Sequence, residues 1–277
     1  MRDIHPFLSK SQWLRKEIFD MVIRTQKGHI PSCYSCSEIV LALCYGGMIR
    51  FDAKNPRSKN RDSLIVSKGH AAMVLYPILA DLGFYPKEEL LKFTNPNGIL
   101  RMYADHTIPG IEAICGSLGH GFTIAAGYAL AAKRDGRDSK SYVIVSDGEC
   151  YEGSVWETAM FASHYELDNL ITVVDRNGLC ILSETEKCVK LNPLEDKWKA
   201  FGWNVINVNG HSYTDIFRGF DDLVKNKNKK PTVIISKSVK GKGISFMENK
   251  VEWHNKMPNA EQVGKARENL EKNCIIN

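Results

Sequence analysis

Apolar residues follow two rhythms along this chain. Between Gln12 and Gln26, Trp13, Ile18, Met21 and Val22 recur at helical spacing, and Gly28 stands where such a helix would stop. The same spacing predicts helices from Ser37-Glu38 to Gly46-Gly47, from Gly69-His70 to Leu82, from Phe122 to Lys133 and from about Ser212. Pro86 can occupy the first turn of a further helix that ends near Phe93. The second rhythm is a short unbroken apolar run, at Tyr142 to Ser146, Leu170 to Val174, Asn204 to Val208 and Thr232 to Ser236; Asp62 to Val66 is similar. Runs without period-two alternation suit strands covered on both faces. Alternation of such strands with helices predicts an α/β fold, a parallel sheet flanked by helices on both faces. Leu100 to Gly121 reads as loop, and residues from about 258 to 277 as an extended or partner-bound tail on a single domain spanning 1–277.

Composition narrows the function. No apolar run approaches the roughly 18 residues of a membrane span, and the N-terminus lacks the apolar stretch of a signal peptide, so a cytoplasmic protein is expected. Eight cysteines in 277 residues are too sparse for a disulfide scaffold and read as reduced thiols. Cys33-x-x-Cys36 has no second pair at zinc spacing and reads as incidental. The net charge of +5 suits anionic small molecules without indicating nucleic acid, and the Lys225 to Lys230 run reads as a solvated loop.

Candidate chemistry concentrates after two strands. Asp147 ends the run Val143-Ile144-Val145-Ser146, and Asn177 lies just past Leu170 to Val174. Carboxyl ends of neighbouring parallel strands face one crevice, where ligands bind, so the two side chains can converge although thirty positions separate them. Magnesium takes one or two carboxylates together with phosphate oxygens and water, a demand that an Asp and an Asn amide meet. Either Asp-Gly or Asn-Gly alone would be an ordinary turn.

Asp147-Gly148-Glu149 followed by Asn177-Gly178 resembles the thiamine diphosphate signature, and Glu152-Gly153-Ser154-Val155-Trp156-Glu157 is similar to its transketolase form. Ser67-Lys68-Gly69-His70, Gly116-Ser117-Leu118-Gly119, Ala200-Phe201-Gly202-Trp203, Lys240-Gly241-Lys242-Gly243 and Trp253-His254 extend the likeness. The resemblance implies magnesium, or calcium or manganese in its place, on Asp147, Asn177 and the Leu179 carbonyl. It implies cofactor contacts from His70, Gly116, Ser117, Leu118, Gly148, Glu149, Asn177 and His254, and active-site histidines at His29, His70, His106 and His254. Imidazole suits proton traffic around a sugar carbonyl. His106 stands only three residues before Pro109, closer than in the family, so this loop is shortened; Ser146 replaces the family's first glycine and His120 a common glutamine. Glu152 and Glu157 suit a helix start electrostatically, by about 0.3–1 kcal/mol, and correspond to the family's subunit-interface glutamates.

Full-length transketolases continue into a pyrimidine-binding domain that supplies the glutamate activating the cofactor. The resemblance therefore implies the N-terminal subunit of a split transketolase, working with a C-terminal partner subunit in a heterotetramer of two copies each. Ketol transfer between sugars or sugar phosphates follows. Deoxyxylulose phosphate synthase-like or keto acid dehydrogenase-like chemistry, and a transketolase specialised for an unusual glycan sugar, are the alternatives. Gly116 to Gly121 lacks the G-x-G-x-x-G spacing of a dinucleotide loop.

Overall fold

The structure, a computed structural model, describes residues 2–226 and 228–272. In chain order its elements are α1 (His5–Thr25), α2 (Ile30–Tyr34), α3 (Ser37–Tyr45), β1 (Ser63–Val66), α4 (Leu75–Asp81), α5 (His120–Arg134), β2 (Ser141–Ser146) and α6 (Gly153–His164). They continue with β3 (Leu170–Arg176), α7 (Thr185–Cys188), α8 (Leu194–Ala200), β4 (Asn204–Asn209), α9 (Tyr213–Lys225), β5 (Thr232–Lys237) and α10 (Ala260–Lys272). The strands form one five-stranded sheet in the order β1-β2-β3-β5-β4, with every neighbouring pair parallel.

Successive strand residues point to opposite faces, and both faces are covered. Leu64, Val66, Tyr142, Ile144, Val173 and Ile234 pack with apolar residues of α1, α3, α4 and α9. Ile65, Val143, Val145, Val174, Val233 and Ile235 pack on the other side with α5, α6 and α8, around Trp198 and Trp203. The apolar runs of β1, β2, β3 and β5 thus mark strands with almost no solvent face, as expected; β4 departs from this, because at the edge of the sheet its Asn207 and Asn209 stay exposed while Ile206 and Val208 are buried.

Departures from the expected elements have local causes. α1 starts before Gln12 because Pro6 lies in its first turn, where a missing N–H costs nothing. The helix expected from Gly69 splits into a 3-10 turn, Gly69–Val74, and α4; the one expected at Pro86 is a 3-10 turn, Lys87–Lys92. The tail is not extended over 260–272. It folds as α10, burying Ala266 and Leu270 against α1, where Gln12 donates to the Leu270 carbonyl at 2.9 Å and Arg267 pairs with Asp20 at 2.7 Å. Residues 273–277 lie outside the described residues.

Trp198 is fully buried between Phe122, Trp156 and Trp203, with ring centroids 6.0, 5.3 and 4.9 Å away. Trp198→Ala should lower unfolding free energy by about 3–5 kcal/mol, seen as an earlier urea midpoint.

Candidate functional site

All strands point one way, so the segments leaving β1, β2, β3 and β5 emerge along one edge of the sheet. β2 delivers Asp147 and β3 delivers Asn177, in a register that pairs Ser146 with Asp175. Asp147 is wholly buried. Its Oδ1 accepts the Gly148 N–H at 2.8 Å, and its Oδ2 accepts the Gly178 N–H at 2.6 Å and the Arg176 guanidinium at 3.1 Å. The two turns expected to converge are therefore hydrogen-bonded to each other. The Asn177 side-chain amide oxygen, Oδ1, accepts the Leu179 N–H at 3.1 Å. Burial, and then the charge of Asp175, push the Asp147 carboxyl up to about 6.

Among the described residues no cluster of three or more His, Cys, Asp or Glu side chains could hold a metal by itself. The donors present are hard oxygens: the Asp147 carboxylate, the Asn177 amide and the Leu179 carbonyl. Such a set suits an ion that completes its shell with phosphate and water. Arg176 is an unexpected member. It also donates to Thr185 Oγ1 and Glu186 Oε1, each at 2.7 Å, and supplies the positive charge that Asp147 faces.

Three of the four candidate histidines meet. Ring centroids of His29 and His70 are 5.5 Å apart, those of His29 and His254 5.5 Å, and those of His70 and His254 5.3 Å. Gly28, at φ +140°, turns the chain so that His29 opens α2; a Cβ there would lie 2.7 Å from Val22. Gly69 sets His70, because a Cβ on it would fall 1.7 Å from the Cys115 carbonyl. Trp253, buried against Phe246 at 5.0 Å, anchors His254. His254 Nδ1 lies 2.8 Å from the Lys240 ammonium. Burial, then Lys240, lower His254 to about 4 and hold His29 below the usual imidazole range. Burial, then Lys68, hold His70 well below it.

His106 is elsewhere. It is exposed and lines a separate cavity of about 590 Å³ with Arg57, Lys59, Arg61 and Arg137, so the shortened loop takes it away from the other three.

The loop of Gly116, Ser117 and Leu118 is held at both ends. Cys115 lies over Gly69, and the Gly119 N–H donates to Glu149 Oε1 at 2.8 Å, so the loop runs between the histidines and the Asp147 turn. Gly116 has open space around it. Glu149, expected to touch the cofactor, is wholly buried, and both its oxygens are engaged, by Ser67, Gly119 and the Ser146 N–H. Its carboxylate holds the loop in place. Ser146 fits its turn, its hydroxyl accepting the Glu149 N–H at 3.1 Å. Glu152 and Glu157 are exposed, the first preceding α6 and the second on it.

Sequence reasoning missed Ser32, Lys68, Asp175 and Lys240. Lys68 and Lys240 lay in segments already singled out, and a lysine directly before a glycine in each was the available signal. Lys68 pairs with Asp175 at 2.6 Å, both fully buried. His29 Nδ1 and Ser32 Oγ are buried without a protein partner. Buried polar atoms rarely stay unsatisfied, and together with the oxygen donors around Asp147 these two fit a polar, anionic cofactor.

A shift of His254 from 6.5 to about 4 means that its neutral form is preferred in the fold. Its stabilisation is present above pH 6.5 and is lost as pH falls toward 4. An NMR titration of the imidazole should show the low midpoint, and Lys240→Met should move it upward; a midpoint near 6.5 in the unsubstituted chain would contradict this electrostatic picture.

The family described as "Transketolase, thiamine diphosphate binding domain" matches residues 10–274. An apulose-4-phosphate transketolase subunit of Phocaeicola vulgatus is 40% identical over 257 residues, 93% of this chain and 91% of that protein. The 6-deoxy-6-sulfo-D-fructose transketolase subunit SqwG of Clostridium sp. (strain MSTE9) is 39% identical over 254 residues, 91% of each. Transketolase from Campylobacter jejuni superposes with a TM-score of 0.89 at 28% identity, covering 98% of this chain and 43% of that one. This chain thus spans less than half of that solved transketolase, and by sequence and by fold it belongs to the transketolase family, as a thiamine diphosphate-binding domain.

Proposed function

We propose that this chain is the diphosphate-binding subunit of a two-component transketolase, which moves a two-carbon ketol unit between sugars once a pyrimidine-binding partner subunit closes the site. The observation that carries the reading is the meeting of His29, His70 and His254 on the same sheet edge as the joined Asp147 and Gly178 turns. Two relatives that match nearly end to end are themselves named as transketolase subunits, which supports the division between two chains.

In this proposal Asp147, Asn177 and the Leu179 carbonyl hold magnesium, and Gly148 and the 116–118 loop receive the cofactor. Bound thiamine diphosphate supplies the carbon nucleophile for cleaving and forming the bond beside the sugar carbonyl. The protein groups handle protons and position. Lys240, lowered to about 8 by burial and then by Lys68, stays largely charged at neutral pH. An ammonium has only donors, so its contact with His254 Nδ1 makes that atom the acceptor and leaves the proton on Nε2. His254 then presents a donor to substrate oxygen, while His29 and His70, kept neutral, can accept or relay a proton.

Displacement of His106 leaves the sugar end of the site without one expected imidazole. Together with relatives named for apulose-4-phosphate and 6-deoxy-6-sulfo-D-fructose, this supports an uncommon ketose as substrate. Glu157 stands three and four positions before Met160 and Phe161 on α6, which are 54% and 39% exposed, and Glu152 precedes the same helix; a carboxylate beside uncovered apolar area suits a subunit interface, and two copies of each subunit complete the proposed assembly. Unpaired cysteines among the described residues suit a reducing cytoplasm.

Asp147→Ala should weaken magnesium-dependent thiamine diphosphate binding by ~100-fold, the effect of losing a charged contact of about 3 kcal/mol. Calorimetry beside an unchanged circular dichroism spectrum reads this, and wild-type affinity would refute the ligand assignment. The purified chain should show no ketol transfer until the partner subunit is added; full activity alone would overturn the two-component reading.

A further inference from the structure

The turn that follows the Asn177 segment carries a feature outside the ketol-transfer machinery. Cys180 Sγ and Cys188 Sγ lie 3.3 Å apart. Backbone bonds set this approach from both sides. The Cys180 N–H donates to the Ser183 carbonyl at 2.9 Å, and Leu179 bridges Glu184, which fixes the first thiol. Cys188 ends α7, whose Thr185 N–H donates to the Gly178 carbonyl at 2.9 Å. A disulfide needs sulfurs about 2.05 Å apart, so the two thiols already stand within about 1.3 Å of bonding distance. Cys188 is exposed and Cys180 partly so, whereas Cys33, Cys36, Cys44, Cys115 and Cys150 are buried.

We propose that Cys180 and Cys188 are a redox-active dithiol, closing reversibly to an intrachain disulfide with a small-molecule disulfide as oxidant. With oxidised glutathione, one protein thiolate attacks a glutathione sulfur, breaking that S–S bond and releasing one glutathione thiolate. The second protein thiol, losing its proton, attacks the protein-side sulfur of the mixed disulfide and releases the other glutathione. Two protein thiols are oxidised, one disulfide is reduced to two thiols, and the two protons pass to the glutathione thiolates. The site leans on the Asp147-Gly148 turn, since a Cβ on Gly148 would lie 3.4 Å from that of Cys180.

The test uses the full chain carrying Cys274→Ser, incubated with oxidised glutathione and digested without reductant. The folded chain should lose two thiols per molecule and yield one peptide pair joined through Cys180 and Cys188, reopened by dithiothreitol. In Cys188→Ser, Cys180 should stop at the glutathione mixed disulfide. The same treatment in guanidinium should spread oxidation over the other cysteines, because the fold sets the pairing. Both thiols remaining free, each carrying glutathione, joining between chains, or pairing as selectively in guanidinium would each overturn the proposal. The thiol count is read on the chain without cofactor or partner subunit, so this result and that of the ketol-transfer test stand apart.

Discussion

A lysine and an aspartate, each 1% exposed and 2.6 Å apart, lie beneath the edge on which the site is built. Asp175 gathers that edge. Its carboxylate accepts from Lys68 after β1, from Ser35 beside α2 at 2.6 Å, from Ser238 after β5 and from the Asn177 amide at 3.1 Å. Lys68 in turn donates to the Ser32 carbonyl at 2.8 Å. Removing one partner of a buried pair leaves an uncompensated charge, typically at a cost of about 3–5 kcal/mol. Four chain segments would loosen together, including those that present His70 and Asn177.

The pair also sets the local field. Burial first, and then Lys68 for His70 and Lys240 for His29 and His254, hold the histidines neutral, while burial and then the negative charge of Asp175 raise Asp147. Acid and base character on this edge thus comes from burial together with a few charges beneath it, and Glu149 adds the mechanical part by tying the 116–118 loop to the Asp147 turn.

The fold was legible because β1, β2, β3 and β5 are covered on both faces, so burial wrote itself as nearly uninterrupted apolar runs, whereas the edge strand β4 alternates buried Ile206 and Val208 with exposed Asn207 and Asn209. The Asp147 and Asn177 turns were legible for a related reason, each following directly on such a run. α10 was not, since it buries little beyond Ala266 and Leu270 and its remaining positions are polar. Asp175 and Arg176 were hidden at the end of an apolar strand, where only tertiary contact reveals a partner thirty or a hundred positions away. The placement of His106 and Glu149 was hidden for the opposite reason. Their segments matched a pattern, but a loop's length and a carboxylate's buried neighbours decide where the side chain ends up.

His29 Nδ1 and Ser32 Oγ, buried and unmatched, have one further consequence. Each such atom typically weakens a folded chain by about 1–3 kcal/mol. A molecule that supplies their missing bonds makes the native state more durable as well as more reactive. The folded state would then resist unfolding more strongly as the concentration of that molecule rises.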